Sequence, residues 1–508
     1  MTPRNALPQG WVRTQLGAVV CDVQPGFACG VNNRGGDGVA HLRPMNVTKD
    51  GEIDLSDLKF ISAKEADGDR KSLRRDDVLF NNTNSTELVG KTAVYEYDEQ
   101  RAFSNHMTRV RVREGALDPK YCAKYLHNCW REGYFQQVCN QHVSQSSISR
   151  ATLLATPIDL PPLAEQKRIM AKVEALLERV NKARGRLDRV PDILKRFRQS
   201  VLAAACSGRL TADWRAANPK QEAPDSLFAT IAREAAQLTK AKKISRKAKS
   251  LAPMLEDELP FDLPDSWKWI QAQDVCAPTG TITYGILKPV WVNAGVPTIR
   301  VRDIQNGQVV VSDVGQCCPE RAAKFSKTSL KQGDLLIAKD GATLGKTAFV
   351  PKSLDGGNVT QHVLRFPISQ HVSRHFVRCA IDSPEGQAWM SGETKGVALP
   401  GVNVEDFRRM PIPLPPFAEQ EEIVRRVVAL FDLADRVLQH LLLATIQTKH
   451  IAHSVIAKAF AGELVETEAD LARREGRDYE PASVLLERIA AECSAATTTR
   501  KQKRTGKN

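Results

Sequence analysis

Two stretches of the chain carry apolar residues at helical spacing. Ile169, Val173, Leu176, Val180, Ala183, Leu187, Val190, Leu194, Phe197 and Val201 alternate at intervals of four and three, the a/d stripe of a heptad. Ile423, Val427, Leu430, Ala434, Val437, Leu441 and Ala444 repeat that register 254 residues later, and it continues through polar Thr448 to Ile451 and Val455. Charges such as Lys167, Arg168, Lys172 and Glu174 cover the other faces. Stripes this long, narrow and matched predict helices that pack on each other, antiparallel about a pseudo-two-fold axis. The alternative is that each stripe packs on its own domain. A helix over 163–205 would be about 65 Å long at 1.5 Å per residue. Pro191 predicts a kink or break within it, with the register carried across.

Ahead of each stripe the pattern changes to short β-type runs broken by Gly, Pro and Asn. Residues 17–23, 39–47 and 92–97 are examples in the first half, and 298–304, 308–314 and 334–338 in the second. Helices are expected over 120–131, 226–238 and 373–381.

The two halves repeat one plan at a spacing of 254–257 residues. Leu7-Pro8-Gln9-Gly10-Trp11 returns as Leu263-Pro264-Asp265-Ser266-Trp267. Residues 73–80 return as 330–337, and Gly90-Lys91-Thr92 as Gly345-Lys346-Thr347. Leu160-Pro161-Pro162-Leu163-Ala164-Glu165-Gln166 returns as Leu414-Pro415-Pro416-Phe417-Ala418-Glu419-Gln420. The fold class expected is therefore α+β, with two similar domains at 1–160 and 261–414 and helical segments at 161–212 and 415–465. Residues 213–260 form a linker, and 466–508 a C-terminal extension whose basic end is disordered.

Composition narrows the partner. The chain has 508 residues, with 72 Lys+Arg against 59 Asp+Glu, a net charge of +13 and a pI near 9.2. That balance suits a polyanion, with lysine-rich solubility as the plain alternative. Residues 240–249 hold six basic side chains and no acid, which suits an exposed mobile linker or a phosphate contact. Eleven cysteines without a C-x-x-C pair argue against a zinc site or a disulfide framework and fit a reducing cytoplasm. No apolar run reaches the roughly 18–20 residues that span a bilayer, and residues 1–20 lack the pattern of a secretory signal.

Several motifs fail on inspection. A phosphate loop needs G-x-x-x-x-G-K-[ST], but its first glycine would fall at Ser85 in one copy and Asp340 in the other. An amino-methyltransferase site would need Asn or Asp before the proline pairs, where Leu160 and Leu414 stand. Glu165-Gln166-Lys167 looks like a fragment of a nuclease motif, but its repeat, Glu419-Gln420-Glu421, loses the lysine. His106 and His362 occupy matched positions without a second metal ligand at usable spacing, so structural histidines are expected. No catalytic constellation emerges.

The doubled Pro-Pro-[Leu/Phe]-Ala-Glu-Gln helix starts, the doubled Leu-Pro-x-x-Trp domain starts, the Asp76-Asp77 and Gly333-Asp334 turns and the duplication resemble the specificity subunit of a type I restriction–modification enzyme. The first of those turns departs from the usual Gly-Asp. The resemblance implies a non-catalytic subunit acting in a prokaryotic cytoplasm. Each α+β domain would be a target recognition domain reading one half of a bipartite, asymmetric double-stranded DNA site. The helices would form the spacer and dock modification (methyltransferase) subunits, two in number, and restriction subunits. S-adenosylmethionine, ATP and Mg would reside on those partners.

Groups suited to bases and phosphates lie at matched loops: Arg43 and Asn46 with Arg300 and Arg302; Asn81, Asn82 and Asn84 with Lys339 and Thr343; Lys91 with Lys346. The spacer and docking set comprises Glu165, Gln166, Ile169, Val173, Leu176, Val180 and Leu187, with Glu419, Gln420, Ile423, Val427, Leu430, Val437 and Leu441. Two other classes compete. One is a duplicated coiled-coil scaffold for protein partners. The other is an enzyme combining recognition with methylation or cleavage, which would need cofactor or metal motifs.

Overall fold

Each α+β domain starts and finishes on one antiparallel ribbon. Val12–Gln15 pairs with Pro157–Leu160, and Lys268–Gln271 with Pro411–Leu414. Two-stranded ribbons have free edges, so prolines at 157, 411 and 413 interrupt no wider ladder. The ribbon brings the domain's two ends to the start of a long helix, Leu163–Leu187 in the first copy and Phe417–Ala459 in the second. The computed structural model describes residues 6–29, 38–141, 143, 145–241, 251–254, 259–392 and 401–492.

Inside each domain lies a four-stranded antiparallel sheet. Its order is 20–25, 108–112, 78–80, 92–94 in the first copy and 283–284, 363–366, 335–338, 347–349 in the second. A further sheet contains one parallel pair: 39–42 with 102–103, and 296–299 with 358–359. Helix Pro119–Arg131 buries Tyr121, Cys122, Tyr125, Leu126 and Cys129, all on its inner face. Asp118 caps its first turn by accepting from the Tyr121 amide. Helix Arg374–Asp382 buries Phe376, Val377, Ala380 and Ile381 in the second copy.

Some expected strands are shorter, for local reasons. Residues 16–19 form a helical turn, because Leu16 and Val19 both point into the core three positions apart. The runs 39–47 and 298–304 end in 3-10 turns at Pro44–Asn46 and Val301–Asp303, and 308–314 turns at Val311–Asp313. The helix expected at 226–238 spans Pro224–Lys240.

By internal contacts the chain resolves into two compact units, 1–187 with 443–508, and 188–442. The first helical segment breaks between Leu187 and Val190, where Pro191 enters the first turn of helix Val190–Cys206. Phe417–Ala459 runs without interruption and contributes to both units.

In the first unit Ile169, Met170 and Val173 share a core with Val455, Ile456, Ala459 and Phe460. Leu177 and Val180 lie with Thr448 and Ala452, so the segments run antiparallel. In the second unit Val201 and Leu202 share a core with Ile423 and Val427. Ion pairs Arg198–Asp435 (2.6 Å) and Arg426–Asp213 (2.7 Å) set the same sense. The heptad stripes thus meet each other, as their pattern predicts.

Full burial falls mainly toward the ends of the stripes, with Ala434 buried within the second. Leu176, Val180, Leu187, Leu430 and Leu441 are half-buried, and Val437 is 38% exposed.

Residues 466–492, expected as an extension, fold onto the first unit. Helix Glu468–Glu475 and the buried side chains Leu485 and Ile489 anchor them, the latter two beside Ala116. The basic runs at 242–249 and 500–508 fall outside the described residues. No described helix is long and apolar enough to cross a membrane, and no group of metal-ligating side chains occurs among the described residues.

Candidate nucleic-acid interface

The Glu-Gln pair at each helix start is a fastening inside the chain. Trp11 donates its indole N–H to Glu165 Oε1 at 2.8 Å, and the Glu468 amide donates to Glu165 Oε2 at 2.8 Å. Burial pushes the Glu165 carboxyl up, against those two hydrogen bonds. Glu468 is also buried, but hydrogen bonds from Arg168 and Arg477 outweigh burial and hold its carboxyl below the ordinary range. In the second copy Trp267 donates to Glu419 at 2.9 Å, and Thr211 and Arg215 complete the carboxylate's shell.

The glutamines work on the backbone. Gln166 accepts from the Asp118 amide and donates to the carbonyls of Ala116 and Pro161. Gln420 accepts from the Ser373 amide and donates to Pro415. Glu165, Gln166, Glu419 and Gln420 have no exposed surface, so they lock each α+β domain to its helix and are not available to a partner. Ile169, Val173, Ile423 and Val427 are likewise enclosed. The exposed apolar side chains of helix Phe417–Ala459 include Leu433, Leu438 and Leu442, with Val437 from the expected set.

The matched loops divide in the same way. Arg43–Asn46 and Arg300–Asp303 are one turn seen twice. In each, the fourth side chain is buried and accepts from the amide of the first: Asn46 from Arg43 at 2.9 Å, Asp303 from Arg300 at 2.8 Å. Asn46 also donates to the carbonyls of Asp54 and Asp57. The residue left at the tip is Met45 (56% exposed) in the first copy and Arg302 (side chain 70% exposed) in the second. The repeat puts Met45 opposite Arg302, and a methionine carries no polar signal by which sequence alone could mark it as a contact.

Asn46, Asn81 and Lys91 drop out of the DNA-facing set. Asn81 is buried and donates to Pro44 O at 3.0 Å. Lys91 is buried, with its ammonium on the carbonyls of Pro44 and Val47. Burial, reinforced by Lys49, pushes its pKa down. Asn82 and Asn84 remain partly exposed, and the strand holding Asn84 pairs with Ser146–Ser147. Lys346 is exposed.

In the second domain Arg300, Arg302 and Thr343 converge on one cleft of about 430 Å³, joined by Trp291, Asp340 and His362. Arg300 lies over the Trp291 ring at 5.3 Å, and Trp291 is 44% exposed. Asp340 accepts from Lys339 at 3.1 Å and pairs with His362 Nδ1 at 2.8 Å. Burial pushes the Asp340 carboxyl up, but those hydrogen bonds outweigh it and hold the pKa below the usual value. The cleft is cationic at its rim, aromatic on one wall and carries one ionised acceptor. These are the group types that read base edges and hold phosphates. Trp291 and Asp340 have no residue of matching type at their positions in the first copy, whereas His362, matched by His106 and expected as a structural histidine, lines the cleft.

A family model described as type I restriction modification DNA specificity domain matches residues 57–190 and again 264–443. The EcoBI specificity subunit of a type I restriction enzyme from Escherichia coli is 29% identical over 406 residues, spanning 78% of this chain and 77% of that one. The EcoKI specificity subunit, also from Escherichia coli, is 25% identical over 507 residues, spanning 96% and 97%. Among solved structures, an HsdS subunit from Thermoanaerobacter tengcongensis aligns with a TM-score of 0.55 over 91% of this chain and all of that one. At 19% identity this last likeness speaks for the fold alone.

Proposed function

The chain belongs to the type I restriction–modification DNA specificity family, and from that premise we propose that it reads a bipartite, asymmetric double-stranded DNA target, one half with each recognition domain. It is the non-catalytic component, the part that selects the sequence, and catalysis lies in partner subunits. The observation that carries the bipartite reading is the doubled fastening. Trp11–Glu165 and Trp267–Glu419 hold two domains of one design on helices of one register. Two modest readers tethered in one chain bind with an effective concentration set by their span, so each gains from the other.

The helical segments fix the number of unread base pairs between the half-sites. They also dock modification subunits, for which Leu433, Val437, Leu438 and Leu442 supply an exposed apolar row. S-adenosylmethionine belongs to those modification subunits, and ATP and Mg to restriction subunits that complete the complex. The site of action is the prokaryotic cytoplasm, where the DNA lies. Exposed Lys346 contacts a phosphate, and Arg302, Lys339, Thr343, Asn82 and Asn84 face the groove.

Mapping adenine methylation in the host genome, with and without this gene, tests the reading. A two-part motif that disappears with the gene is the expected result, and an unchanged map sinks the proposal. Four residues inserted near Ala183 should change the spacing and keep both half-sites. Unaltered spacing would show that the helices are not the ruler.

A further inference from the structure

The cleft on the second recognition domain combines two chemistries that rarely share a polyanion-facing surface. Arg302 sits at the tip of its turn, and its guanidinium approaches Asp303 no closer than 3.7 Å, while Asp303 is held by Arg300. Its donor fork is therefore directed to solvent. Asp340, in the same cleft, keeps a third of its side chain exposed although Lys339 and His362 already donate to it. A carboxylate on a DNA-binding face repels phosphates. It is tolerated where it meets a donor, and in the major groove cytosine N4 presents that donor while guanine presents the acceptors N7 and O6. The Trp291 ring under Arg300 forms a rigid wall beside the two groups.

We infer that this cleft reads a G·C pair, Arg302 donating to guanine N7 and O6 and Asp340 accepting from the cytosine amino group. The inference rests on the DNA-reading function above and adds the base pair and the side chains that choose it. It applies to one half-site only. In the first domain the tip residue is Met45, and Asn82 and Thr83 stand where the second has Lys339 and Asp340. That surface has neither the fork nor the carboxylate.

The test uses the intact complex in its host, with Arg302→Ala and Asp340→Asn introduced separately and adenine methylation mapped genome-wide. Each variant should keep one half-site and the spacing unchanged. In the other half, discrimination at a single G·C position should fall roughly tenfold or more, the loss expected when a bidentate or amine-accepting contact is removed. Asp340→Asn should in addition admit A·T there, since an amide can pair with adenine N6 and N7. The inference is overturned if both variants keep the parental motif, if each loses both half-sites together, or if the parental motif contains no G·C pair in the affected half. A parental strain with no gene-dependent motif would instead bring down the function itself, and this inference with it.

Discussion

Gly90-Lys91-Thr92 and Gly345-Lys346-Thr347 enter the same strand of the same sheet in the two recognition domains, yet their lysines have opposite fates. Lys91 is buried on the carbonyls of Pro44 and Val47, whereas Lys346 stands in solvent. The glycines did not diverge. Both have positive φ, +96° at Gly90 and +82° at Gly345, a conformation that L side chains rarely adopt. A Cβ at Gly90 would also meet the Phe135 ring at 2.5 Å. The duplication kept what the backbone demands and released what the side chain does. The turns at 43–46 and 300–303 teach the same lesson, with a retained cap at the fourth position and a tip that changed from methionine to arginine.

The two copies should respond unequally to matched substitutions. The largest effect is expected at the two fastenings. Glu419→Ala strands the Trp267 indole and the Thr211 hydroxyl and leaves the Arg215 guanidinium with Gly208 O but no carboxylate, and should cost about 3–5 kcal/mol, as when a buried ion pair loses one member. Glu165→Ala strands an indole and one amide and should cost about 1–3 kcal/mol. Urea unfolding of both variants ranks them, and equal losses would mean that Arg215 adds nothing.

Next comes the end of each helical segment, where Phe460 occupies the repeat position of Cys206. Phe460 meets Tyr121 and Tyr125 edge-on at 5.3 and 5.1 Å, so Phe460→Ala should cost about 3 kcal/mol or more. Cys206→Ala should cost about 1 kcal/mol. The same denaturation series would expose a reversed order.

The smallest pair separates the lysines. Lys91→Met takes the ammonium donor from the Val47 carbonyl, while Pro44 O keeps Asn81, and should lower stability by about 1–2 kcal/mol, with the salt dependence of DNA binding unchanged. Lys346→Ala should leave stability alone and reduce the slope of log affinity against log salt by about 0.9, one phosphate contact. Identical slopes for Lys346→Ala and the parent would take Lys346 off the interface.

The helices, their register and the duplicated plan were legible in the sequence because periodicity and motif order are written in residue types. Pro191 marked its break for the same reason, since it removes a backbone donor. Burial of individual polar side chains was not legible. Asn46 and Asn81 read as groove contacts by residue type, but each closes a turn, because a buried carbonyl or amide needs a partner wherever the chain bends inward. Glu165 and Glu419 suggested docking to another subunit, and their partners turned out to be tryptophans 154 and 152 residues away in the same chain. The short 3-10 turns were not legible either, because one or two residues of apolar pattern cannot distinguish them from strand ends.

The fastening of the first domain has a consequence for the order of events on the ribosome. The unit formed by 188–442 is continuous in sequence, so all its parts emerge together and can fold as they leave the exit tunnel. The other unit needs 443–492 to close over Trp11 and Glu165, and the Arg168–Glu468 pair joins positions 300 apart. The domain translated first is thus finished last. During synthesis its Trp11 and Ile169 surfaces wait uncovered for the C-terminal segment, which makes this junction the point where a truncated or stalled chain is most exposed to proteolysis and aggregation.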